Sequence, residues 1–467
     1  MPRPSDSTLA AWRGLIGAEH VLTGGDALEA AGRCTFADAP LPSAVLLPGT
    51  ADETAACLRV AHAARTRVHP VSTGRNWGYG SGCPPHAGTT VLRLARLDRV
   101  LDFDDDRGLV TIQPGVTFGG LDSFLRAQGG RWWPPSVGAG PDVSVVGNVL
   151  QRGLGQGPYR ELARHVYAAE ALCSDGTCLR TGPAPGPDPT GLLFQGGPVV
   201  VTAVTLWLRP APALRQRITF RIPRADCLPL VVDGARAMLR GGAADGQAAD
   251  VLSAARVAAG LPPGASVPDV MTGAWTGGTE VWAPDDDALR SLRGRALAWA
   301  AAHGDVWEVS PPLPGAPTSG DAPAGPVCAY RSKPGGPGSD PDRDGCGVLW
   351  FVPLLPMRGA QTARVVALIE RIGAEEGVAP SVSLRLGPRD LYCVTGLFWD
   401  RDEPGADARG ARCHALMSAE CARLGVFTYR PVLGRWPPEA VDPGAQRLLA
   451  QVRSALDPRG VLASHLL

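Results

Sequence analysis

The stretch TGRNWGYGSG, residues 73–82, packs four glycines, two aromatics, an arginine and an asparagine into ten positions. Its flanks decide what it can be. Upstream, SAVLLPG reads as a short buried strand, and Thr50-Ala51-Asp52-Glu53 has the form of a capping box, with Thr50 capping and Glu53 reaching back. The apolar positions of ETAACLRVAHAAR recur at helical spacing, and RVHPVS returns to an extended pattern. Downstream, TTVLRLARL is again β-like. The decapeptide therefore joins two strands. A Rossmann dinucleotide loop must open a helix whose N-terminus receives the pyrophosphate, so that fold is excluded. Consecutive backbone N–H groups can still form a nest for an anion without a helix. Gly74, Gly78, Gly80 and Gly82 would let a ligand approach the backbone, with Arg75 adding charge and Asn76 an amide. On these residues alone, a nest and a plain structural turn stay equally open.

RVLDFDDDRGLVTIQPG reads as a hairpin turning at Asp106-Arg107-Gly108, and GVTFGGLDSFLRAQGG as a helix ending in glycine. A second glycine-rich stretch, SVGAGPDVSVVGNVLQRGLGQGPY at 136–159, is too long for a simple connection. It leads into strands, HVYAAEALCSDGTCLRTG, rather than into a clear helix. Two such loops in one β-rich half predict a long ligand lying across both, and flavin adenine dinucleotide (FAD) has the length.

Bulk properties narrow the function classes. At 467 residues, two domains are expected. The 45 basic and 45 acidic residues cancel, which removes the electrostatic case for a nucleic-acid or anionic-membrane partner. No apolar run reaches transmembrane length, and MPRPSDSTLAAWRGLIGAEH lacks the basic and apolar regions of a signal peptide, so a cytoplasmic location is expected. Eleven cysteines lie scattered without CxxC pairs, and no metal site is expected. Cys173 and Cys178 flank an Asp175-Gly176 hairpin turn; a disulfide there is weighed, with free thiols the better reading.

GRNWGYGSG, QPGVTFGGL, VVGNVLQRGLGQGPY, GPVVVTAVTLWLRP, DPDRDGCGVLWFVPLLPMRG, TYR at 428–430 and ALDPRGVLA occur in an order that resembles the vanillyl-alcohol oxidase and p-cresol methylhydroxylase flavoproteins. The resemblance covers most of the chain. It implies an α+β fold: a two-part FAD-binding domain, 1–210, interrupted by a cap domain on an antiparallel sheet, 211–421, and completed by 422–467. It implies that Thr73, Gly74, Arg75, Asn76 and Gly78 contact the FAD pyrophosphate and that Pro114 and Gly115 pass nearby. Gly147, Asn148, Gly153 and Gly155 would form the second wall, and Val200 with Thr202 a strand beside the nucleotide. Tyr79 and Tyr429 match tyrosines that reach a phenol oxygen, and Arg430 an arginine beside the flavin N1–C2=O edge. The activity implied is hydride transfer from a para-substituted phenol to flavin N5, giving a quinone methide that is hydrated, desaturated or decarboxylated. The acceptor would be oxygen or a redox protein, and a homodimer is compatible.

The chain departs from that pattern in several places. The positions used for covalent flavin attachment fall at Val348 and near Asp340, so non-covalent FAD is expected, with Tyr330 as the exception to weigh. A terminal basic residue of the family is missing, with His465 its nearest substitute, and the glycine of a G-I-V-T strand is Val199. An acidic position near flavin N5 falls at Ala139, leaving Asp142 as a weak candidate base against a loop-capping role. In SVSLRL, Ser381, Ser383 and Arg385 share a face, and Arg385 could bind a substrate carboxylate or simply be solvated. Two alternatives follow from these departures: a tailoring oxidoreductase of secondary metabolism acting on a non-phenolic substrate, and a flavin-binding partner subunit without turnover.

Overall fold

The computed structural model describes residues 3–36, 40–240, 246–261, 264–316, 333, 340–432 and 440–463. Tyr330, His465 and most of the proline-rich stretch 311–326 lie outside the described residues. The fold is α+β. The chain forms two compact units, one of Met1–Gly155, Tyr159–Arg209 and Arg430–Leu467, the other of Gln156–Pro158 and Pro210–Tyr429.

The first unit opens with a mixed sheet of β1 (Val21–Leu22), β2 (Ala44–Leu46), β3 (Val68–Val71) and β4 (Thr90–Arg93), ordered β1–β2–β4–β3. β2 and β3 run parallel to β4. The crossover from β2 to β3 is helical, as parallel pairing requires. Helices α1 (Asp6–Ile16) and α2 (Ala51–Ala64) set Trp12, Ile16, Leu58 and Ala61 in one core with Val68 and Leu92. The Thr50 hydroxyl accepts the Glu53 N–H at 3.0 Å, but the Glu53 carboxylate turns to the Gly49 N–H at 2.6 Å, one residue short of the amide a capping box would engage. The decapeptide follows β3 and precedes β4, between two strands.

An antiparallel second sheet comprises β5 (Val100–Asp104), β6 (Leu109–Ile112), β7 (Val166–Leu172), β8 (Cys178–Thr181) and β9 (Val200–Trp207), ordered β5–β6–β9–β7–β8. Its two hairpins turn at the expected Asp106-Arg107-Gly108 and Asp175-Gly176, where Gly108 and Gly176 take φ of 66° and 81°. Cys173 and Cys178 are free thiols. Between β6 and β7 the chain forms two helices, α3 (Phe118–Ala127) and α4 (Val145–Leu150). The returning segment joins the first sheet through its tail. Asp457, 3% exposed, accepts the Val461 and Leu462 N–H groups at 2.8 Å each. That turn presents Val461 and Ala463 to the Val68 backbone. The DPRGVLA motif thus docks the C-terminal stretch beside β3.

In the second unit, β10 (Leu214–Ile222), β11 (Gln247–Ser253), β12 (Trp275–Ala283), β13 (Val306–Val309), β14 (Cys346–Phe351), β15 (Pro380–Leu386) and β16 (Asp390–Asp400) run in the order β13–β10–β12–β11–β15–β16–β14. Every one of these pairings is antiparallel. Helices α5 (Leu228–Arg240), α6 (Asp286–His303), α7 (Gly359–Glu376) and α8 (Ala406–Arg423) accompany the sheet. On β14, Gly347 leaves room for the Trp399 ring that α8 covers, and Phe351 meets His414 of α8 edge-on. The opposite face carries Trp350 and Phe398, perpendicular with centroids 5.6 Å apart. By register that face also holds Ser381, Ser383, Arg385 and Tyr392, with Asp250 opposite Arg385. After α8, Tyr429 donates its N–H to Val352 at 3.0 Å, so the chain stays in this unit past residue 421.

Burial pushes the imidazoles of His69, His165 and His414 down to about 4, with the Arg209 charge adding to the effect at His165. Each is neutral in the fold at neutral pH, whereas the unfolded chain protonates near the ordinary value. Stability is therefore expected to be complete above about pH 6.5 and to fall as the pH drops toward 4, by about 1.4 kcal/mol per pH unit for each histidine. Urea unfolding across that window checks this, and a flat profile contradicts it.

Candidate active site

Ser144 ties together three segments that sequence reading left separate. It caps α4, its hydroxyl accepting the Gly147 N–H at 2.9 Å and donating to the Pro114 carbonyl at 2.6 Å. Its own N–H donates to the Thr73 hydroxyl at 3.2 Å. The decapeptide, the Pro114-Gly115 turn and the second glycine-rich stretch thus meet at one side chain. The second stretch does lead into strands, as expected, but it contains a short helix of its own that was not anticipated. At six residues, with a glycine inside, α4 shows no readable periodicity; its signal in the sequence is the Ser144 cap.

The glycines at this junction sit against close neighbours. A Cβ on Gly115 would press on the Ala95 carbonyl and lie 2.7 Å from that of Leu97. One on Gly147 would come within 3.1 Å of the Ser72 hydroxyl, and one on Gly153 would overlap the Asn148 amide. Gly155 leaves space for Tyr159, whose buried phenol donates to the Trp133 carbonyl and accepts the Arg209 N–H.

Within the decapeptide, Gly74, Gly78 and Gly80 take φ of 81°, 75° and 115°, a left-handed region open to glycine at little cost. The Asn76 carbonyl accepts the N–H groups of Tyr79 and Ser81 at 3.0 Å, and the Gly78 N–H donates to the Thr35 hydroxyl at 2.8 Å. The amides of Gly74, Asn76 and Gly80 make no hydrogen bond among the described residues. Arg75 sits over the Trp77 ring, 5.6 Å from its centroid.

Tyr79, Asn76 and Arg430 come together although 354 positions separate the last two. Arg430 is 7% exposed, its guanidinium stands 4.2 Å over the Tyr79 ring, and one of its terminal N–H groups donates to the Asn76 side-chain oxygen. This holds the Tyr79 ring against a cation whose Nε has no partner among the described residues. The Asn148 side-chain oxygen is likewise buried and bare. An unpaired buried polar group costs about 1–3 kcal/mol, so these atoms suit a ligand that bonds to them. FAD fits: backbone amides and guanidinium groups for a pyrophosphate, and a buried amide oxygen and cation for a polar ring edge.

Other expected residues fall differently. Val200 lies in the hydrophobic core of the first unit, and the Thr202 hydroxyl donates to the Glu170 carbonyl at 3.4 Å, so both offer a ligand backbone more than side chain. Asp142 is exposed in the loop before α4, and the α4 cap is Ser144 rather than a carboxylate. In the second unit, Tyr429 packs edge-on against Tyr392, centroids 5.2 Å apart, and Arg385 lies beside Tyr392 and Asp250 in register. Val348 is buried on β14. Sequence reading missed Ser144 and Thr35, whose roles rest on the hydrogen bonds above; Arg93, beside Gly74 and Gly82, was not singled out either. A capping serine gives a local signal, whereas Arg93 looks like an ordinary strand residue.

Residues 42–182 match the model of an FAD binding domain. Over 99% of its length, the chain is 30% identical to the 1'-carboxy-chondrochloren decarboxylase of Chondromyces crocatus, covering 97% of that protein. It is 23% identical to the flavoprotein subunit of 4-cresol dehydrogenase (hydroxylating) from Pseudomonas putida, over 97% of this chain and 93% of the relative. The fold matches that of p-cresol methylhydroxylase with substrate bound, with a TM-score of 0.83, 21% identity, and coverage of 99% and 96%. The 4-ethylphenol oxidase of Gulosibacter chungangensis gives 0.81, 20%, 98% and 95%. Full-length similarity, the FAD-domain match and the shared fold agree, and the chain belongs to the FAD-linked oxidoreductase family of p-cresol methylhydroxylase type.

Proposed function

We propose that this enzyme removes a hydride from the benzylic carbon of a para-substituted phenol, using non-covalently held FAD. The observation that carries the reading is the cluster in which Arg430 lies over Tyr79 and bonds to Asn76. FAD, when bound, supplies the hydride acceptor. Tyr79 and Tyr429 are assigned to the phenol oxygen. By hydrogen-bonding the phenolate they favour the ionised form, whose electron release expels the hydride and leaves a quinone methide. Arg430 supplies fixed positive charge in a water-poor environment, where it stabilises the negative charge that arrives with the hydride. By the resemblance, the positions for covalent flavin attachment fall at Val348 and near Asp340, neither a histidine nor a tyrosine, which supports non-covalent binding.

For the fate of the product, decarboxylation is favoured. Arg385 lies on the sheet face opposite α8, in register with Tyr392, and could pair with a substrate carboxylate. One relative, at 30% identity, is itself named a decarboxylase. With the carboxylate on the carbon next to the benzylic one, loss of carbon dioxide would break the C–CO2 bond, its electron pair forming a C=C bond to the benzylic carbon and returning the quinone methide to a phenolate.

Tyr79→Phe keeps the ring under Arg430 and removes the hydroxyl. Flavin content is expected to be unchanged, and anaerobic flavin reduction by 4-alkylphenols to slow about 10- to 100-fold, the loss of one transition-state hydrogen bond. Wild-type rates in the variant would remove Tyr79 from the mechanism.

A further inference from the structure

Arg93 closes β4 in a position that a cation alone would avoid. Its backbone pairs with Val71, the last residue of β3, so its side chain emerges where the decapeptide begins. Its terminal Nη2 lies 3.7 Å from the positions that a Cβ on Gly74 and on Gly82 would take. Gly74 and Gly82 themselves face each other, the Gly74 Cα being 3.4 Å from a Cβ built on Gly82. The guanidinium therefore sits at the neck of the glycine-rich loop.

Among the described residues it also has no counter-charge: no carboxylate pairs with it, and its buried Nε has no hydrogen-bond partner. Burial lowers its pKa, with no opposing pull from an acid. A half-buried cation whose Nε has neither water nor a protein partner is unfavourable, as is a charge left behind when one member of a buried ion pair is removed. Such a group makes sense when an anion arrives from outside. The loop above it leaves the amides of Gly74, Asn76 and Gly80 unused, donors suited to the same anion.

We propose that Arg93 is the counter-ion of the cofactor's pyrophosphate, a guanidinium held beneath the loop while the backbone amides grip from the loop itself. This rests on the FAD reading above. It makes Arg93 a binding residue for the nucleotide end, with no part in hydride transfer. The chemistry suits a guanidinium, which presents paired N–H donors to phosphate oxygens and stays charged where an ammonium would lose its proton.

The test compares wild type with Arg93→Met and Arg93→Lys, using FAD and riboflavin as probes, by fluorescence titration of flavin-stripped protein. Arg93→Met is expected to weaken FAD about 100-fold and to leave riboflavin, which has no phosphate, unaffected. Arg93→Lys should recover part of the loss. Because the bare cation is costly without ligand, stripped Arg93→Met should melt about 2–4 °C higher than stripped wild type. In the holoenzymes, the ³¹P resonances of the pyrophosphate should shift between wild type and both variants, whether or not the ring can be stripped. Equal losses for FAD and riboflavin, or unchanged FAD affinity with unmoved ³¹P resonances, overturn the proposal. A wild-type protein that takes up no FAD instead overturns the cofactor reading, which is a separate result.

Discussion

Replacing Arg430 with methionine is expected to slow anaerobic flavin reduction about 100- to 1000-fold, the range seen when a preorganised electrostatic group is removed from a reacting centre. Methionine fills a comparable volume without charge, so the loss reports electrostatics more than packing. Arg430 is almost fully buried and serves two neighbours: it covers the Tyr79 ring and bonds to the Asn76 side chain. Among the described residues its Nε has no partner, which suits it to a bound group. Arg430→Lys should fall between the two, because an ammonium keeps the charge but loses the planar fork. Stopped-flow bleaching with a 4-alkylphenol measures the effect. A rate within a few-fold of wild type would show that Arg430 only packs.

Gly115→Ala is expected to destabilise the protein by about 2–4 kcal/mol and to lower its flavin content, because the added methyl meets backbone that cannot move aside. The Gly115 N–H donates to the Leu97 carbonyl at 2.6 Å, and a Cβ would press on that carbonyl and on the Ala95 carbonyl. Relief requires the Pro114-Gly115 turn to shift, and Pro114 is the acceptor for the Ser144 hydroxyl. Ser144 in turn holds Thr73 and Gly147, so strain at one glycine reaches both loops. Chemical denaturation and the flavin-to-protein ratio read the two consequences. Unchanged values for both would show that the turn adjusts freely.

Local chemistry made part of this legible in the sequence. The decapeptide could be placed between strands because SAVLLPG, a capped amphipathic helix and RVHPVS each carry their own pattern, and both hairpin turns follow from Asp-Gly and Arg-Gly pairs. Helix α4 was missed because six residues make too few turns to show a stripe. The Glu53 contact with Gly49 rather than Thr50 turns on a rotamer, which spacing does not specify. The meeting of Asn76 with Arg430 depends on a chain return that only the family resemblance foreshadowed, since no local pattern links positions 354 apart. Arg93 was invisible for another reason. An arginine at a strand end is ordinary until the structure shows that, among the described residues, no acid accompanies it.

The central claim is that a para-substituted phenol gives up its benzylic hydride in this protein. Mixing the oxidised holoenzyme with 4-alkylphenols under anaerobic conditions tests it most directly. The flavin is expected to bleach rapidly, and deuterium at the benzylic carbon to slow the bleaching. A flavin that stays oxidised with every such phenol, yet is reduced by an alcohol lacking the phenol group, would contradict the account.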